Sequence, residues 1–112
     1  MPGLRRRDVV KVPFPYTDRP TRQYRPALVV AAGDLEDKHG LLWVVMITSA
    51  ENRRWPEDLT ISDLKAAGLP APSMIRTAMI ATIEAADAAK VGKVLPALFR
   101  KVASRLAGSL GV

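Results

Sequence analysis

Short apolar runs rich in Val, Ile and Leu, broken by proline-, glycine- and arginine-rich stretches, set the pattern of this chain. The longest clean run is Leu41–Ile47, far short of the ~20 residues a membrane-crossing helix needs. Such punctuation selects short strands over long helices. Asp8–Phe14 alternates, with Val10, Val12 and Phe14 on one side and Val9, Lys11 and Pro13 on the other. It predicts a half-buried strand with Pro13 near an edge. Ala27–Ala32 predicts a buried strand and Leu41–Thr48 a third, long enough to cross a sheet. Pro15–Tyr24 and Ala50–Asp58 predict loops, and Gly33–Gly40 an acidic turn.

The second half alternates extended and helical signals. Leu59–Ile61 predicts a short strand. Ser62 predicts an N-cap with Asp63 in the first turn and Gly68 closing the helix. Leu69–Ser73, with two prolines, is a rigid connector. Ser73–Ile83 predicts extended chain, two short strands around Ala78, and Val91–Leu95 a last strand. Pro96 opens a helix in which Leu98, Val102, Leu106 and Leu110 recur every four residues, leaving Lys101 and Arg105 outside. No internal repeat interrupts this order, so residues 1–112 are one domain of mainly β structure with short helices (α+β), a small barrel closed by a C-terminal helix.

The 112 residues, 48% apolar and 25% charged, suit an ordinary globular domain and exclude a disordered tail, a collagen or a coiled coil. The absence of cysteine excludes disulfides, a thiol nucleophile and Cys-ligated zinc. The single histidine, His39, lies in an acidic turn and supplies neither a metal site nor a two-histidine mechanism, so neither metal nor cofactor is expected. The stretch Val9–Tyr16 carries Lys11 and two prolines and is no cleavable apolar helix; a cytoplasmic protein is expected. Charge is concentrated at the ends. Residues 1–25 hold seven bases and two acids, residues 26–89 five bases and nine acids, and residues 90–112 five bases and no acid. Terminal basic blocks suit a polyanion, either nucleic acid or an acidic protein segment, although solvated faces have the same composition.

Four segments carry specific signal: Arg7-Asp8-Val9-Val10-Lys11-Val12-Pro13-Phe14-Pro15-Tyr16-Thr17-Asp18, then Arg25-Pro26-Ala27-Leu28-Val29-Val30, then Ile47-Thr48-Ser49, then Gly68-Leu69-Pro70-Ala71-Pro72-Ser73-Met74-Ile75-Arg76-Thr77. In this order and spacing they resemble the MazF/PemK family of toxin endoribonucleases, over about Arg7 to Leu95. The resemblance implies an SH3-like barrel of the MazF/CcdB type, a homodimer, metal-independent cleavage of single-stranded RNA and neutralisation by an antitoxin with an acidic disordered tail. It makes Arg25 and Thr48 catalytic and sets the Pro15–Tyr24 loop beside an RNA groove, where Ser49 also falls. Many relatives carry Gly where this chain has Arg7. The PemK-like branch matches at Arg76 but uses an aspartate two residues later, where this chain has Ala78, so its acid–base assignment does not transfer.

The chemistry of the residues agrees in part. Metal-free cleavage lets the ribose 2′-hydroxyl attack its own phosphate, which calls for a base, an acid and a cation for the phosphorane. The planar fork of Arg25 suits the cation, and the Thr48 hydroxyl donates or accepts a hydrogen bond. Without the resemblance, Arg25 reads first as a strand-edge residue and Thr48 as a strand former. Tyr16 and Tyr24, interleaved with Arg19 and Arg22, form either a stacking platform for single-stranded RNA or a solvated loop. Arg53, Arg54 and Arg76 extend the candidate RNA surface, with Trp55 beside them assigned to core or dimer packing. Two other classes fit a barrel of this kind: a non-catalytic toxin that binds protein, as the gyrase poison CcdB does, and an inactive RNA- or antitoxin-binding remnant.

Overall fold

The computed structural model describes residues 3–13 and 24–112. Six strands form one antiparallel sheet: β1 (Asp8–Pro13), β2 (Tyr24–Ala31), β3 (Leu41–Ser49), β4 (Leu59–Thr60), β5 (Ser73–Glu84) and β6 (Ala89–Lys93), in the order β4-β5-β3-β2-β1-β6. Among the described residues, two short helices, α1 (Asp34–His39) and α2 (Leu64–Ala67), and a 3-10 turn at Ala85–Asp87 connect strands, and α3 (Pro96–Leu110) follows β6. Among the described residues no helix is long and apolar enough to cross a membrane.

The central strands are apolar at consecutive positions because both their faces are buried. Val9, Leu28, Val45, Ile47 and Ile75 pack with Ala67 and Leu69 around α2 and with Phe99 and Val102 of α3. The alternate residues Val10, Val12, Ala27, Val29, Val44 and Met46 form a second cluster. No α-helix among the described residues contributes to it. The sheet curls into a half-barrel and covers this face itself, with Leu4, Met79 and Ala85 closing over it. The half-buried strand expected at Asp8–Phe14 is instead buried on both faces, Val9 in the helix-side cluster and Val10 in the opposite one, while β6 pairs with its outer edge.

Several boundaries differ from the sequence expectation for local reasons. Gly33–Gly40 is not a turn but contains α1, a single short helix with acidic residues in its first turn and no buried residue, so it carries no apolar period. The N-cap of α2 is Asp63 rather than Ser62; its carboxylate accepts the Ala66 N–H at 3.0 Å. Ser73–Ile83 is one strand instead of two, but its pairing with β3 jumps from Arg76 opposite Met46 to Ile80 opposite Val45, a bulge centred on Ala78. The last strand starts at Ala89, two residues before the expected start. In α3, Phe99 joins Val102 in the core while Leu110 is exposed beyond the end of the sheet.

Arg7 has φ 81, a left-handed conformation that suits glycine. Here the strain is offset by three hydrogen bonds: Arg7 N–H to the Val29 carbonyl at 3.1 Å, Val94 N–H to the Arg7 carbonyl at 2.9 Å, and Arg7 Nε to the Val94 carbonyl at 3.1 Å.

Gly68 and Gly92 fix the seat of α2. A Cβ on Gly68 would overlap the Val91 carbonyl, and one on Gly92 would overlap the Ala66 and Ala67 backbone. Backbone thus lies on backbone, and this contact places the connector that leaves α2. Gly92→Ala should destabilise the fold by about 1–3 kcal/mol through overpacking, measured by urea unfolding. A change below about 0.5 kcal/mol, the level of a neutral surface substitution, would contradict this packing.

Candidate functional site

A groove of about 640 Å³ opens at the end of the sheet where β2 begins and β3 ends. Lys11, Tyr24 and Arg25 line one side, Thr48 and Ser49 the floor, and the 68–73 connector the opposite wall. The β2–β3 ladder determines which residues meet. Ala27 pairs with Met46. Two residues back along β2 and two forward along β3 reach Arg25 and Thr48, an even offset that sends both side chains to the same side of the sheet. Arg25 is half-buried and Thr48 is 8% exposed, whereas Tyr24 is 61% exposed at the rim. The connector is tied to the strand end by the Ala50 N–H, which donates to the Pro72 carbonyl at 3.0 Å.

The Thr48 hydroxyl is oriented. Asn52 Nδ2 donates to Thr48 Oγ1 at 2.6 Å, which engages an oxygen lone pair and leaves the hydroxyl proton to be donated elsewhere. Asn52 is held in turn by its N–H to the Ser49 carbonyl at 3.1 Å. Ser49 Oγ accepts the Glu51 N–H at 3.2 Å, so this side chain also shapes the turn. Neither Asn52 nor Lys11 stands out in the sequence. Asn52 lies in an irregular loop and meets Thr48 only because the chain turns, and Lys11 reads simply as the polar member of an alternating strand.

Of the residues expected to contact RNA, the structure brings Tyr24, Arg25, Thr48 and Ser49 together. Tyr16, Arg19 and Arg22 lie outside the described residues. Arg53 and Arg54 are exposed but do not line this groove, and Arg54 donates to Thr60 Oγ1 and the Asp58 carbonyl. Arg76, expected on the RNA surface, lies outside this groove. It is 7% exposed, pairs with the buried Asp58 at 3.0 Å, donates to the Arg53 carbonyl at 2.7 Å, and lies 4.0 Å from the Trp55 ring centroid. Its charge holds the 53–58 loop against β5 and does not face the groove. Trp55, assigned to core or dimer packing, is 39% exposed in the single chain, outside its core, and has Arg76 against its ring. Ala78 is exposed and borders a separate recess beside Pro56, Glu57 and Arg105. His39 is exposed on α1, and among the described residues no three His, Asp or Glu side chains converge as metal ligands would.

The chain belongs to the PemK-like, MazF-like toxins of type II toxin–antitoxin systems, whose family model matches residues 5–110. Solved structures agree on the fold. MazF from Deinococcus radiodurans aligns with a TM-score of 0.76 at 19% identity, covering 99% of this chain and 97% of that one. An endoribonuclease in complex with its cognate antitoxin, from a mycobacterial species, aligns with a TM-score of 0.73 at 22% identity, covering 100% and 97%. The Mycobacterium tuberculosis toxin MazF-mt6 gives 0.73 at 18% identity, covering 95% and 98%. No curated protein sequence matches significantly. The half-barrel described above is thus the MazF-type SH3-like barrel expected from the sequence.

The Asp58–Arg76 pair generates a stability prediction. Asp58→Ala leaves a buried guanidinium without its carboxylate and should cost about 3–5 kcal/mol in chemical unfolding. Replacing both partners with apolar residues, Asp58→Leu with Arg76→Met, should recover most of that loss. Equal losses in the single and double variants would show that the pair itself is not what holds the loop.

Proposed function

We propose that this toxin is a sequence-specific endoribonuclease that cuts single-stranded RNA without a metal, by attack of the ribose 2′-hydroxyl on the adjacent phosphate. The observation that carries this reading is the meeting of Arg25 and Thr48 in one groove, with an exposed tyrosine at its mouth. In the reaction the 2′-oxygen forms a bond to phosphorus and the bond to the 5′-oxygen breaks. The 2′-hydroxyl loses a proton and the departing oxygen gains one. Arg25 holds the non-bridging oxygens, where charge builds as phosphorus becomes five-coordinate. Thr48, with its lone pair engaged by Asn52, donates its proton to the same phosphate. Among the described residues no carboxylate or imidazole lines the groove. Arg25 and Thr48 thus supply positioning and charge stabilisation, while solvent water takes the 2′-proton and returns one to the departing 5′-oxygen.

Tyr24 is suited to stack a base flanking the scissile phosphate, and Lys11 to contact a neighbouring phosphate. Arg53 and Arg54, and Tyr16, Arg19 and Arg22 of the segment between β1 and β2, are proposed to extend RNA contact beyond the groove. The proposed setting is a cytoplasmic homodimer restrained by a cognate antitoxin whose acidic tail competes for the same guanidiniums.

Arg25→Ala and Thr48→Val should each lower the cleavage rate by at least ~100-fold, the scale of losing one donor to a developing oxyanion. Both variants should unfold at the parent's temperature and bind RNA within a few-fold of it. An Arg25→Ala protein that cuts as fast as the parent would remove the catalytic assignment. Intact RNA together with inhibited DNA supercoiling by the parent would point to a gyrase poison.

A further inference from the structure

The end of β3 is closed by a tight turn held at three points. The Asn52 N–H donates to the Ser49 carbonyl, three residues back, which closes a β-turn over residues 49–52. Inside it, Ser49 Oγ accepts the Glu51 N–H at 3.2 Å. The Ala50 N–H donates to the Pro72 carbonyl and ties the turn to the opposite wall of the groove. A turn fixed in this way returns the Asn52 side chain to Thr48, four residues earlier, at 2.6 Å.

Proton counting sets a condition on the group that meets Thr48. The oxygens of a phosphodiester accept hydrogen bonds and donate none. A threonine hydroxyl has one proton and two lone pairs. If that proton goes to the phosphate, the partner at residue 52 has to be a donor, since a second acceptor would compete for the same proton. An asparagine offers one end of each kind, and the end that faces Thr48 Oγ1 is the donor, Nδ2. A carboxylate of the same size and shape accepts only, and would draw the hydroxyl proton away from the phosphate.

We propose that Asn52 is a positioning residue for RNA cleavage, and that the reaction depends on the donor polarity of its amide rather than on the contact alone. It rests on the reading that Thr48 donates to the scissile phosphate. Two consequences follow. The isosteric Asn52→Asp change should disable the chemical step as fully as removing the hydroxyl. It should also make cleavage conditional on pH, because a protonated carboxyl has an O–H that donates to Thr48 again.

The test measures single-turnover cleavage at one mapped site of a long RNA, at saturating protein so that weakened binding does not enter the rate. Circular dichroism confirms the fold at each pH. Asn52→Asp should cut about 100-fold more slowly than the parent near pH 7, the loss expected of Thr48→Val. The deficit should shrink to about threefold near pH 4, where an ordinary aspartate is about half protonated. Asn52→Ala, which frees the hydroxyl to rotate, should lose about tenfold at every pH, the worth of one hydrogen bond. In the Thr48→Val background, Asn52→Asp should change nothing further, because no proton is left to direct. This last comparison is made near pH 7 and needs no acid-stable fold. An Asn52→Asp protein that matches the parent near pH 7 would overturn the proposal. So would a deficit that does not narrow as pH falls, or one that persists undiminished in the Thr48→Val background. All three leave the groove reading in place while Thr48→Val itself is slow. A Thr48→Val protein that cuts like the parent overturns that reading, and the role of Asn52 with it.

Discussion

The pairing of β2 with β3 is the constraint from which the rest of the site follows. Both strands are buried on both faces, so a slip of one residue would exchange two complete sets of packed side chains. Leu28 and Val45 face the helices while Ala27, Val29, Val44 and Met46 face the curled interior. Register is therefore set by packing over the length of the ladder. Arg25 and Thr48 sit just past its end, so they inherit a relative position that neither residue has to enforce. An arginine fork and a hydroxyl are thereby held on rigid strands, the preorganisation that the proposed stabilisation of a phosphorane would use.

The walls of the groove depend on two further devices. Gly68 and Gly92 let α2 and β6 meet backbone to backbone, which sets where the proline-rich connector starts. The buried Asp58 collects Arg76 and the Trp55 N–H, and so anchors the irregular loop that carries Asn52. Asn52 then orients Thr48. The loop that carries Asn52 is thus fixed at one end by the Ser49 carbonyl and at the other by the buried Asp58.

Much of the fold was legible because its signals are local or periodic. The three central strands follow from β-branched runs, α3 from its four-residue repeat, and the end of α2 from Gly68. The pair Arg25 and Thr48 was legible through motif resemblance, and the ladder gives its physical basis. What the sequence hid is non-local or aperiodic. Arg76 looks like an RNA contact until Asp58, eighteen residues earlier, is seen to hold it. Asn52 reads as loop because its partner is reached through a turn. Helix α1 buries nothing, so no apolar repeat announces it. The left-handed φ of Arg7, a conformation that suits glycine, is set by its hydrogen bonds to Val29 and Val94 and has no local signal in the sequence.

The central claim is that the groove cuts RNA through the substrate's own 2′-hydroxyl. The most direct measurement incubates the purified protein with a long mixed RNA in excess EDTA and determines the chemistry of every new end. The account predicts cuts at defined sites that leave a 2′,3′-cyclic phosphate on one fragment and a 5′-hydroxyl on the other. A 2′-deoxy nucleotide placed at a mapped site should block that cut alone. New ends bearing a 5′-phosphate, or cleavage that persists at the 2′-deoxy position, would contradict it.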